Sequence, residues 1–148
     1  MMETTRLLLP FTHGVSVEAI EHAVLLAKSY QAELVSLALI HVPEERRAKG
    51  ARLEHIQQSK DFLEVTKHKA SLHSVPVERF EVFTCDVVQS VNVLVHELRC
   101  DGMLLFVDGD RAVLLQAKEI QQIMKTSVCK LYIVHNPMHS QPTSSRGL

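Results

Sequence analysis

The segment Arg6–Val42, RLLLPFTHGVSVEAIEHAVLLAKSYQAELVSLALIHV, constrains this chain more than any other. It opens with the unbroken apolar run Leu7, Leu8, Leu9. A strand that does not alternate with polar residues has to be covered on both faces, which is the situation of a parallel strand beneath helices. Pro10 has no N–H to give to a ladder and marks the approach to that strand's end. Gly14 permits a tight turn. Ser16 then stands as an N-cap, with Glu18 in the first turn where the helix dipole favours an acid. Ile20, Ala23, Ala27 and Tyr30 recur at helical spacing, and Leu34–Val42 returns as a second apolar strand. Strand, helix, strand in this order make a parallel βαβ unit with a right-handed crossover.

The same alternation continues. PEERRAKG after Val42 is a solvent-facing connection, and a helix is expected over Ala51–His73 with Leu53, Ile56, Leu63 and Ala70 inward. Val77–Thr84, led by Pro76 and rich in β-branched and aromatic residues, reads as a strand at an edge. Asp86 caps a helix carrying Val87, Val91, Leu94, Val95 and Leu98 on one face. Gly102–Val107 is a buried strand, Asp108–Arg111 a turn, Val113–Lys125 a helix and Cys129–Val134 a fifth strand. Five strands alternating with four helices describe one open α/β sheet, parallel and Rossmann-like, with helices on both faces. The domain is expected over residues 6–135, and the polar segment 136–148 is expected to be a disordered tail.

Several classes are disfavoured by composition. The 148 residues carry a net charge of −1, which makes no electrostatic case for nucleic acid. Three cysteines without CxxC spacing argue against a disulfide framework or a zinc knuckle. No run approaches the ~20 apolar residues of a membrane helix, and Met1–Thr5 does not begin a signal peptide. A cytoplasmic protein without membrane contact is the expectation.

Ligands of open α/β sheets bind beyond the carboxyl ends of the strands. Here that means the loops Thr12–Ser16 and Asp108–Ala112. His13 and His41, at the ends of neighbouring strands, would need Asp108 to make a metal site, and no HxxxH spacing supports one. No metal is expected. Cys85 precedes a helix and is read as buried and inert, with Cys100 and Cys129 in the core. No Ser/His/Asp arrangement or carboxylate pair points to catalysis. A phosphoacceptor receiver would want an acidic pair where Thr12-His13 stands and a lysine just after the fifth strand, whereas Lys130 lies within it. The HxGH and SGGxDS phosphate motifs of adenylyl-transferring enzymes are missing.

Taken in order, LLLP…AIEHAVLLAKSYQAELVSLALIHV, Cys85-Asp86, the stretch Glu97–Gly109 and Cys129–Val134 resemble a universal stress protein domain. The resemblance implies strand order 3-2-1-4-5, a homodimer joined through the last strand, and a crevice that in many members holds ATP. Their phosphate-handling pattern is altered here. Thr12 stands where nucleotide-binding members have Asp. Gly109 is kept, but Ala112 replaces the second glycine of Gly-x-x-Gly. Ala117-Lys118 falls at the Gly-Ser position after a shortened spacer. Glycines of this kind let backbone N–H groups wrap a phosphate, and side chains spoil the nest. Asp108 and Asp110 add repulsion. Thr12, His13, Val42 (the family's adenine-lining position), Gly109 and Ala112 are thus the candidate ligand-binding residues. The expectation is a non-enzymatic regulatory or interaction module with an unidentified protein partner and no tight ATP or AMP binding. The alternative is an ATP-binding stress protein with a diverged loop.

Overall fold

The computed structural model describes residues 4–109 and 111–135. Its elements run β1 (Arg6–Phe11), α1 (Val17–Ser29), β2 (Glu33–His41), a single 3-10 turn (Glu44–Arg46), α2 (Leu53–Leu72), β3 (Val77–Thr84), α3 (Val87–Glu97), β4 (Gly102–Asp108), β5 (Arg111–Val113), α4 (Ala117–Thr126) and β6 (Lys130–His135). The parallel strands lie in the order β3-β2-β1-β4-β6, which is the expected 3-2-1-4-5 once the last strand of the sequence is numbered sixth. The additional strand is β5, which folds back antiparallel on β4 and pairs Phe106 with Val113.

Alternate residues of the central strand face opposite layers, as the pleat requires. Leu7, Leu9 and Phe11 pack with Ile20, Ala23 and Phe62 beneath α1 and α2. Leu8 joins Val87, Val91, Val95 and Ile123 beneath α3 and α4. Phe11 and Phe62 stack with ring centroids 4.4 Å apart. The expected caps form: Ser16 Oγ accepts from Ala19 N–H at 3.2 Å, and Asp86 Oδ1 accepts from Gln89 N–H at 3.1 Å.

Pro10 sits in the middle of the sheet without breaking it, and backbone direction explains why. Glu33 N–H donates to Thr5 O, whereas Asp101 N–H donates to Arg6 O. Odd-numbered residues of β1 therefore serve β2 and even-numbered ones serve the β4 side. The missing N–H of Pro10 falls on the β4 side, beyond the last β1–β4 pair, Leu8 with Met103. At the opposite end of β1, Arg6 joins four elements. Its guanidinium contacts Glu33 and Glu78, each at 2.7 Å, and donates to Leu98 O at 3.0 Å, while its backbone N–H donates to Asp101 Oδ2 at 2.8 Å.

Three expectations are corrected. The inner stripe of α2 is Ser59, Phe62, Thr66 and Ala70. Leu53 is 84% exposed, and Ile56 and Leu63 are half-buried. Stacking of Phe62 on Phe11 sets this rotation, and the two inward hydroxyls are satisfied. Ser59 donates to Glu81 Oε2 at 2.6 Å and Thr66 donates to Phe62 O at 2.7 Å. The last helix starts at Ala117 rather than Val113, because Val113 pairs with Phe106 and Leu114 takes a left-handed φ of 73°. That turn sends Leu114 into one apolar layer and Leu115 into the other. Finally, Tyr30 caps α1 and is half exposed instead of completing its buried face. The tail expected over 136–148 lies outside the described residues.

Gly102 opens β4 where Tyr132 of β6 crosses it. A Cβ there would stand 2.6 Å from Tyr132 Cε1 and 3.3 Å from Lys130 O. Gly102→Ala is expected to destabilise the protein by about 1–3 kcal/mol through overpacking. In urea titrations the loss should shrink when Tyr132→Ala is added, because the two sites share one clash.

Candidate functional site

The carboxyl ends of β1, β2 and β3 open into a cavity of about 590 Å³. Its floor is Thr12 and His13 after β1, His41 at the end of β2, and Cys85 and Asp86 after β3. The first turns of α2 add Glu54, His55 and Gln58, and α4 with its cap adds Gln116, Lys118, Glu119 and Gln122. Three carboxylates, Glu54, Asp86 and Glu119, thus face a single ammonium, Lys118.

The loop after β1 is tied down from two sides. Thr12 N–H and His13 N–H both donate to Leu114 O, at 2.8 and 3.3 Å. Thr12 Oγ1 donates to Glu119 Oε1 at 2.8 Å, and the same oxygen accepts from Gln116 N–H at 2.9 Å. Gln116 and Glu119 form a capping box at the start of α4. Gly14, at φ 80°, turns its N–H onto Gln58 Oε1 at 2.9 Å. The amides that would have to face an anion at the end of β1 are already donated to protein acceptors.

The five candidate residues do not converge. Thr12 and His13 line the cavity. Val42, whose N–H donates to Thr84 O, faces a separate hollow of about 410 Å³ beside Phe83. Gly109 and Ala112 border a third, of about 200 Å³, with Ile120 and Met124. Ala112 is paired with Val107 inside the β4–β5 hairpin, which is why it does not present a phosphate loop. His13 and His41 do share the cavity, but Asp108 does not line it. Among the described residues no group of three or more His, Cys, Asp or Glu is arranged to hold a metal ion.

The cysteine readings also change. Cys85 is exposed at the cavity rim rather than buried, and Cys100 and Cys129 are half-buried rather than core. Burial pushes the Cys100 thiol up to about 11. The residues missed in the sequence are Leu114, Gln58, Glu54 and Glu119. Of these only Glu119 had a local signal, the Gln-x-x-Glu spacing of a capping box.

No protein-family model and no curated protein sequence matches the chain. Experimental structures do. A universal stress protein in complex with cAMP superposes with a TM-score of 0.63 at 16% identity, covering 90% of this chain and 98% of that one. The Archaeoglobus fulgidus universal stress protein in complex with dAMP gives 0.66 at 8% identity, covering 90% and 98%. An Arabidopsis thaliana universal stress protein family member with AMP bound gives 0.64 at 12% identity, covering 94% and 96%. The fold of this chain is that of universal stress proteins. No helix among the described residues is long and apolar enough to cross a membrane.

Glu119 serves the loop and the helix cap together, so its removal should be felt in both. Glu119→Ala is expected to cost about 1–2 kcal/mol, with Glu119→Gln losing about half as much because Gln also completes a capping box. Thermal unfolding of the two variants against the parent decides it.

Proposed function

We propose that this chain is a universal-stress-protein-type regulatory or interaction module, that it is not an enzyme, and that it works without tight ATP binding. One observation carries the reading. Strand β5 fills the gap beside β1, and the Leu114 carbonyl takes the Thr12 and His13 amides. An anion at that point would meet a carbonyl oxygen and the Glu119 carboxylate instead of free N–H groups. With three carboxylates against one lysine around the cavity, a polyphosphate is repelled more than it is held. The one hydroxyl–carboxylate pair described at the cavity, Thr12 with Glu119, is engaged in the fold, because the same Glu119 oxygen accepts the Gln116 N–H in the capping box of α4. Self-association through the β6 edge belongs to the same reading. Among the described residues that strand pairs only with β4, and its Ile133 is 40% exposed.

A second reading, retained nucleotide binding, is favoured by the cAMP, dAMP and AMP complexes of the structural neighbours. The room beneath α2 and α4 is enough for a nucleoside. Isothermal titration calorimetry of nucleotide-free protein separates the two. ATP and AMP should bind with Kd weaker than about 1 mM. Micromolar binding of either nucleotide would overturn the first reading in favour of the second.

A further inference from the structure

The strand at the far edge of the sheet, β3, reads VERFEVFT and, among the described residues, pairs only with β2. Leu34 N–H donates to Pro76 O and Val42 N–H donates to Thr84 O. Even-numbered carbonyls of β3 therefore point to β2, and the backbone groups of Val77, Arg79, Glu81 and Phe83 point away from the sheet. We propose that this edge pairs antiparallel with the same edge of a second copy, about a two-fold axis through Phe80.

The register follows from charge and side-chain direction. A two-fold perpendicular to the sheet keeps each side chain on its own face, so residues of equal parity must meet. With Phe80 on the axis, Arg79 of each copy lies opposite Glu81 of the other, and Val77 lies opposite Phe83. All four are residues whose N–H and C=O point outward, so they fall at the hydrogen-bonded positions of an antiparallel ladder, with about eight backbone bonds across the axis. Phe80 meets Phe80 at a non-hydrogen-bonded position, where side chains come closest. Moving the axis to Arg79 or to Glu81 sets like charges against each other. Only the Phe80 register pairs opposite ones.

The side chains are placed for this. Arg79 and Glu81 both lie on the α2 face, where Arg79 reaches Glu64 at 3.6 Å and Glu81 accepts from Ser59. Phe80 and Val82 are half-buried against the opposite layer. Phe83 is 55% exposed. A sheet edge guarded against association carries charge that repels its own copy and little exposed apolar surface. This edge carries Arg and Glu two residues apart, which attract across a two-fold, and leaves a phenylalanine outside. The contact does not depend on whether the cavity binds nucleotide or on the β6 edge.

Charge exchange tests it. Mean mass by light scattering or sedimentation should rise with concentration for the parent protein. Arg79→Glu alone and Glu81→Arg alone should each weaken association by at least about tenfold, since both cross-strand pairs turn from attractive to repulsive. An equimolar mixture of the two variants should regain it, because each substituted edge then faces its complement. The double variant Arg79→Glu/Glu81→Arg should also associate like the parent. The recovery in the mixture cannot come from contacts within one chain, because each chain there carries only one of the two exchanges. Phe80→Cys, with Cys85→Ser, Cys100→Ser and Cys129→Ser, should oxidise to a covalent dimer, since Cα atoms about 4.5 Å apart suit a disulfide. A parent protein that stays monomeric at about 0.5 mM overturns the proposal. So does parent-like association of the single variants, a mixture that fails to recover, or the absence of the position-80 cross-link in associated protein.

Discussion

The organisation of the molecule turns on one absent hydrogen-bond donor in its central strand. β1 has neighbours on both sides and can keep pace with both only while each residue supplies a donor. Pro10 supplies none, and the missing N–H lies on the β4 side. Pairing on that side ends at Leu8 and Met103, and the two strands part. The gap is filled from within the chain. β4 runs on to Asp108, reverses at Gly109, and returns as β5 until Leu114 places its carbonyl on the Thr12 and His13 amides. The loop after β1, the start of α4 and the wall of the cavity are fixed together by that closure.

The two ends of the sheet are built on different chemistry. At the amino ends a single guanidinium on β1 reaches β2, β3 and the end of α3, while the backbone N–H of the same Arg6 donates to Asp101 just before β4. Isolated exposed ion pairs contribute little, but a fork shared by two carboxylates and a carbonyl is a network, and it holds strand starts in register. At the carboxyl ends the bonds are from neutral amides and hydroxyls to Leu114, Gln58 and Glu119. What remains open there is a hollow rimmed by acids and imidazoles.

Among the described residues β3 and β6 each have one strand neighbour, and the two edges differ in character. β6 shows aliphatic and aromatic side chains, with Tyr132 tilted against Tyr30 at 5.6 Å and Lys130 over the Tyr132 ring at 5.2 Å. β3 is charged and alternating, which makes its pairing dependent on register.

The sequence by itself determined the layered α/β architecture. Leu7–Leu9 and Leu34–Ile40 are too continuously apolar to be anything but doubly covered strands, and Ser16 and Asp86 announce helix starts through local bonds that need no distant partner. The rotation of α2 was not legible. Its apolar residues are few, and the face that turns inward is chosen by Phe62 stacking on Phe11, some fifty positions away. Nor was β5, because a three-residue strand has no period of its own and exists only where β4 and β1 have separated. The candidate site scattered for the same reason. Thr12 and Val42 follow the ends of different strands and Ala112 lies inside β5, and which hollow each one faces is decided by the path of the hairpin and the connection after β2. Local propensity wrote the elements, but long-range packing around the gap at Pro10 decided where the cavity opens and which side chains line it.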